Sequence, residues 1–122
     1  MKWQFSADAP IYTQLVAQIQ MYIVSGALPP GERLPSVREF AAEAGVNPNT
    51  MQRAMAELER EGLVHSQRTA GRFVTEDRAR IQQAKRQCAE EQIQTFLEKM
   101  EQLGYTRAEI LQLMEQQGKG DG

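Results

Sequence analysis

Apolar residues recur through this chain at intervals of three and four, the period of a helix with one buried face. The first such stripe is Ile11, Tyr12, Leu15, Val16, Ile19, Tyr22 and Ile23. It predicts the central packing helix of a small domain, opening near Pro10 with Asp8 or Ala9 as cap and ending at Ser25 and Gly26. Ahead of it, residues 1 to 7 read as an extended or loosely held segment with Trp3 and Phe5 on one side. Pro29, Pro30 and Gly31 make a tight turn. Pro35 keeps Leu34 extended, and a short strand is expected at Arg33 and Leu34.

Two shorter stripes follow, Val37, Phe40, Ala41, Ala44 and then Met51, Ala54, Met55, Leu58. Each has a start signal. Ser36 with Glu39 forms a capping box, and Asn47 followed by Pro48 is an N-cap with proline at the first helical position. Gly45 turns the chain between them. The second helix shows Asn49, Gln52, Arg53 and Arg60 on its outer side. A helix-turn-helix and an ordinary helical hairpin both fit so far. Gly62 then stops the helix, and LVHS and RFVT read as two strands joined by a Gly-containing loop from Gln67 to Gly71. Helix, two-helix unit and hairpin, in that order, are a winged helix-turn-helix, and agreement across these levels favours DNA binding.

From Glu76 to Leu103 there is neither proline nor glycine. This stretch predicts a long helix, polar in its first half and apolar in its second. Gly104 stops it, and Thr106 with Glu109 opens a last helix. The tail GKGDG is expected to be disordered. Two helices alone are too few to bury Ile93, Phe96, Leu97, Met100, Leu103, Ile110, Leu113 and Met114 well, so these residues predict a homodimer interface, the alternative being that the helices fold back on the winged domain. The fold class is therefore mainly α with a small β-wing. Residues 1–75 form a winged helix-turn-helix domain, and residues 76–122 a helical linker and dimerisation tail.

Charge changes this picture little. The net charge is −2, and the acidic excess lies after Thr75. Glu57, Glu59 and Glu61 sit late in the outward helix, which is the one feature favouring a winged-helix protein-interaction module without DNA binding. Cys88 is the single cysteine, which excludes an internal disulfide and a cysteine-based metal site. His65 is the single histidine, with no nucleophile or carboxylate pair placed to serve it, so an enzyme is not expected. No metal or cofactor site is expected either. No apolar run of about 18 residues predicts a membrane span, and MKWQFSADAP lacks a signal-peptide core, so a cytoplasmic protein is expected.

The segment PIYTQLVAQIQMYIVSGALPPGERLPSVREFAAEAGVNPNTMQRAMAELEREGLV resembles the N-terminal domain of the GntR family of bacterial transcription regulators. The likeness covers about residues 9 to 75, and PGERLPSVRE, VNPNT and ELEREGL carry it most specifically. The short tail resembles the YtrA-like subfamily, whose members pair through two helices and lack a large effector domain. The resemblance implies a dimer that sets two outward helices about 34 Å apart in successive major grooves of double-stranded DNA. A compact reader with no activation surface is expected to repress by occupying a promoter, here at a palindromic operator.

The resemblance also implies contacts, residue by residue. Arg38 stands where the family's Arg meets DNA, and Asn47 to Arg53 stand at the start of the recognition helix. Some relatives carry Arg where this chain has Pro48 and Gln52, which moves base reading toward Asn49, Thr50 and Arg53, with Gln52 still in reach. Ser36, Arg38 and Thr50 are expected at phosphates. Arg68, Thr69, Gly71 and Arg72 are expected on the wing beside the minor groove. Thr69 replaces the first Gly of the family's Gly-x-Gly wing, so the wing tip must differ or carry strain if that position needs positive φ. A small-molecule effector, if there is one, is expected at the dimer interface or the domain junction near Cys88 and Phe96.

Overall fold

A computed structural model describes residues 1–120 of the 122-residue chain. Its elements are α1 (Ile11–Val24), α2 (Val37–Ala44), α3 (Pro48–Arg60), β1 (Val64–Gln67), β2 (Gly71–Val74), α4 (Arg78–Gln102) and α5 (Arg107–Gly120). They fall into two compact units that divide within α4, the first being Met1–Arg86 and the second starting at Gln87. The expected boundary after Thr75 lies too early for the first unit. Ile81 and Ala84, on the opening turns of α4, are buried in its core.

That core joins the three predicted stripes. Leu15, Ile19 and Ile23 of α1 meet Phe40 and Ala41 of α2 and Met51, Ala54, Met55 and Leu58 of α3. Leu63, Val64 and Val74 of the hairpin close it. Burying one such Leu, Ile, Met or Phe side chain is worth roughly 1.5–3 kcal/mol, so the stripes fix the helices on one another. No polar or charged residue is buried among the described residues, so every charge is left to the surface.

The helix ends follow the expected chemistry with two differences. Ser36 Oγ accepts from the Glu39 N–H at 3.2 Å, but its hydroxyl also donates to Glu39 Oε1 at 2.9 Å. The box thus closes through the hydroxyl. The α1 cap is Pro10 itself, not Asp8 or Ala9, and no side chain caps it. Pro10 is extended (φ −56°, ψ 139°), so the helix begins only after it. Gly45 closes α2 in the left-handed region at φ 73°.

The N-terminal segment is fixed, not loosely held. Gln4 N–H donates to Gln18 Oε1 at 3.0 Å and Gln18 Nε2 donates to the Gln4 carbonyl at 2.6 Å. Gln14 repeats the arrangement with Ser6, at 2.8 Å and 2.9 Å. Four residues of helix rise about 6 Å, and two residues of extended chain advance about 6.6 Å. Two glutamines one turn apart therefore meet alternate peptides and act as a neighbouring strand. Trp3, just before the first anchor, and Phe5, between the two, pack on the core, with Trp3 edge-on to Tyr22 and to Phe40 at 5.4 Å and 5.6 Å.

β1 and β2 pair antiparallel from Val64↔Val74 to Gln67↔Gly71. The strand expected at Arg33 and Leu34 shrinks to a single bridge, Arg33↔Phe73, flanked by Leu34 N–H to the Arg72 carbonyl at 2.9 Å. Pro35 ends it after one bridge because it has no N–H to give. Only glycines have positive φ among the described residues, so Thr69 carries no strain. The wing turn instead places Gly71 at φ 106° and closes with Ala70 N–H on the Gln67 carbonyl at 3.1 Å.

In the second unit Thr106 and Glu109 form a full capping box, Glu109 N–H to Thr106 Oγ1 at 3.2 Å and Thr106 N–H to Glu109 Oε1 at 3.0 Å. These bonds hold the Glu109 carboxyl below its ordinary pKa. Helix α5 runs to Gly120, into the GKGDG tail. Asp121 and Gly122 lie outside the described residues.

Candidate nucleic-acid interface

The outward face of α3 starts at its cap. Asn47 Oδ1 accepts the Asn49 N–H at 2.7 Å, so half of the Asn47 amide holds the helix start. That bond, with Pro48 at the first helical position, leaves Asn49, Gln52 and Arg53 exposed on the side opposite Met51, Ala54, Met55 and Leu58. Thr50 is half-buried. It lines a shallow groove of about 350 Å³ with Pro10, Ile11, Tyr12, Asn49 and Arg53. The Arg53 guanidinium lies over the Tyr12 ring, 3.6 Å from its centroid. Tyr12 thus packs on the core, as its helical spacing predicts, and carries Arg53 on its other face.

On α2, Arg38 is exposed within the first turn after the Ser36 cap. A second groove, about 430 Å³, runs between this helix start and the wing, lined by Arg33, Pro35, Ser36, Glu39, Gly71 and Arg72 among others. Gly71 is favoured here by its positive φ, and Arg33 passes close to it. A Cβ on it would stand 3.2 Å from Arg33 Nε. Arg33 is the cation that sequence reasoning missed. Its signal was the alternation before Pro35: Leu34 is buried, so Arg33 must face away from the core, and the single bridge sets it beside the wing.

The wing differs from expectation at one position. Arg68 and Thr69 are exposed at the tip. Arg72 is not an unpaired cation, because its Nε donates to Glu59 Oε1 at 2.7 Å with both side chains largely covered. Ser66 donates to the same oxygen. Burial pushes the Glu59 carboxyl up, but the hydrogen bonds from Ser66 and Arg72, with the charges of Arg72 and His65, outweigh it and hold the pKa below the ordinary value.

The other two acids at the end of α3 also have partners within the fold. Glu57 accepts from Arg60 Nε at 2.9 Å, and the Arg60 hydrogen bond lowers its pKa. Glu61 accepts from Gln20 Nε2 at 2.5 Å. The three acids that favoured a module without DNA binding are therefore partners of the fold's own donors, and they do not form an unpaired acidic face. His65 is exposed and stacks on Phe73 across the strand pair, ring centroids 5.9 Å apart. No group of His, Cys, Asp and Glu suited to a metal ion occurs among the described residues.

The expected dimerisation residues divide. Ile93, Phe96, Leu103 and Met114 are exposed, with Leu103 at 73%, and Leu97, Met100 and Leu113 are half-buried. Ile110 is 1% exposed within the single chain, so it supports the tail and offers no outward surface. Leu111 is exposed as well, at 61%; its stripe position alone does not say which side α5 turns inward.

A capped helix with an outward row of amide, hydroxyl and guanidinium groups, braced by a wing, defines a DNA-binding winged helix-turn-helix protein. The sequence profile described as "Bacterial regulatory proteins, gntR family" matches residues 11–74. The chain is 40% identical over 109 residues to the HTH-type transcriptional regulator YhcF of Bacillus subtilis, covering 89% of this chain and 90% of that one. It is 41% identical over 71 residues to the HTH-type transcriptional repressor YtrA of the same organism, covering 58% of this chain and 55% of YtrA. A solved GntR family transcriptional regulator from Listeria monocytogenes superimposes with a TM-score of 0.83 at 38% identity, covering 92% of this chain and 98% of that one. The chain belongs to the GntR family of transcription regulators.

Proposed function

We propose that this regulator is a repressor that binds a palindromic operator as a symmetric homodimer. The observation that carries the reading is the exposed row Asn49, Gln52, Arg53 on a helix whose other side is fully buried. Arg pairs in the plane with guanine, and Asn or Gln with adenine, each worth roughly 1–3 kcal/mol of discrimination. Ser36, Arg38 and Thr50 hold phosphates, and Arg68, Thr69 and Gly71 follow the minor groove edge, joined by Arg33. Asn47 takes part through the half of its amide that does not cap α3. Arg72 positions the wing through Glu59. A second copy covers Ile93, Phe96, Leu103 and Met114, and the pair spaces two α3 helices by about one turn of DNA. The protein works in the cytoplasm, where its operator is, and needs no cofactor. A compact reader of this kind represses by occupying a promoter.

Gel shifts test the reading. Fragments of the source genome captured by the purified protein serve as cognate DNA, and a scrambled duplex as generic DNA. Arg53→Ala is expected to weaken cognate binding sharply and spare generic binding, whereas Arg38→Ala weakens both. Log affinity falls with log salt by about 0.9 for each phosphate neutralised. Unchanged binding in both variants would sink the assignment.

A further inference from the structure

Arg53 has a partner within its own chain. Its guanidinium stacks at 3.6 Å on the ring of Tyr12, a residue of the first turn of α1. A stacked guanidinium spends its face on the ring and keeps its in-plane N–H donors for other partners. Those donors are the ones a bidentate contact to guanine O6 and N7 uses. An exposed arginine otherwise carries about 2 kcal/mol of rotamer entropy that base reading has to overcome. Pro10 and Ile11 line the same groove with Asn49 and Thr50, so this corner of α1 borders the reading end of α3.

We propose that Tyr12 is a specificity-determining positioning residue, which pre-sets Arg53 to read one guanine in each half-site. The inference rests on α3 being the DNA-reading helix. Tyr12 need not touch DNA in this role. It acts through Arg53 alone, by holding the guanidinium plane.

The test needs no prior operator. A library of random-sequence duplexes is selected with the unaltered protein and with Arg53→Ala, Tyr12→Leu and Tyr12→Phe, and base preference is read at every position. Arg53→Ala is expected to abolish a guanine preference at one position per half-site. Tyr12→Leu keeps an apolar side chain on the core but removes the ring, and is expected to lower that same preference about three- to tenfold. Tyr12→Phe keeps the ring face and the preference. In the Arg53→Ala background, Tyr12→Leu changes nothing further. A merely structural Tyr12 would flatten all positions alike or leave all unchanged, and either result overturns the proposal. If the unaltered protein selects no sequence at all, the DNA-reading function fails and the proposal with it.

Discussion

Glu59 joins the recognition helix to the wing, and replacing it with glutamine tests that joint. Glu59→Gln keeps the size of the side chain and one acceptor oxygen, but removes the charge that Arg72 and Ser66 both address. The Glu59 side chain is 32% exposed and that of Arg72 22%, so the pair is partly screened. A fully exposed pair is worth about 0.2–1 kcal/mol and a charge-assisted hydrogen bond in a drier place about 1.5–3. A loss of about 1 kcal/mol sits between these limits. For a unit of this size that lowers Tm by about 4–8 °C. The sign with pH is fixed by the depressed pKa. The stabilisation is fully present above the unfolded carboxylate's pKa and is lost as pH falls through the lower folded value. The variant therefore melts lower at neutral pH, and the gap to the unaltered protein closes in acid.

The same change acts on DNA in the opposite direction. Arg72 loses its counter-charge and becomes available to phosphate. Generic duplex binding should tighten at low salt, and the log–log salt slope should steepen by about 0.9 for the added contact. Thermal melting against pH and a salt titration by fluorescence anisotropy read both effects. An unchanged Tm together with an unchanged salt slope would refute the view that Glu59 holds Arg72 in the wing.

Two further outcomes follow from other parts of the chain. The Gln14→Ala, Gln18→Ala double variant removes the four hydrogen bonds that hold residues 4 and 6. Trp3 is the one tryptophan, so its emission should shift to the red while far-ultraviolet circular dichroism stays nearly constant. Phe96→Glu places a charge on the exposed apolar face of α4. Sedimentation should show the proposed dimer dissociating, and cognate affinity should fall more than generic affinity.

Most of the fold was legible because its signals are local. Asn47 with Pro48 and Thr106 with Glu109 announce helix starts through bonds within three residues, and the stripes of α1 to α3 state their own buried faces. The candidate site was legible at α3 for the same reason: a stripe that buries Met51, Ala54, Met55 and Leu58 leaves Asn49, Gln52 and Arg53 outside. The strand at Arg33 was overestimated because a one-bridge pairing depends on β2, nearly forty residues later in the chain.

Side-chain partners distant in sequence were decided only by the tertiary structure. Nothing local tells Arg53 that Tyr12 lies beneath it, Arg72 that Glu59 claims its charge, or Gly71 that Arg33 crosses it. These pairs span up to about forty residues of sequence and exist only once α1, α3 and the wing are packed together. The sequence alone determined which faces of α1, α2 and α3 the core would take, since burial of apolar area depends on period and composition. Which charges remain outward for DNA depended on close approach between elements, because a cation is spent or spared by whatever carboxylate or ring the fold brings within a few ångströms of it.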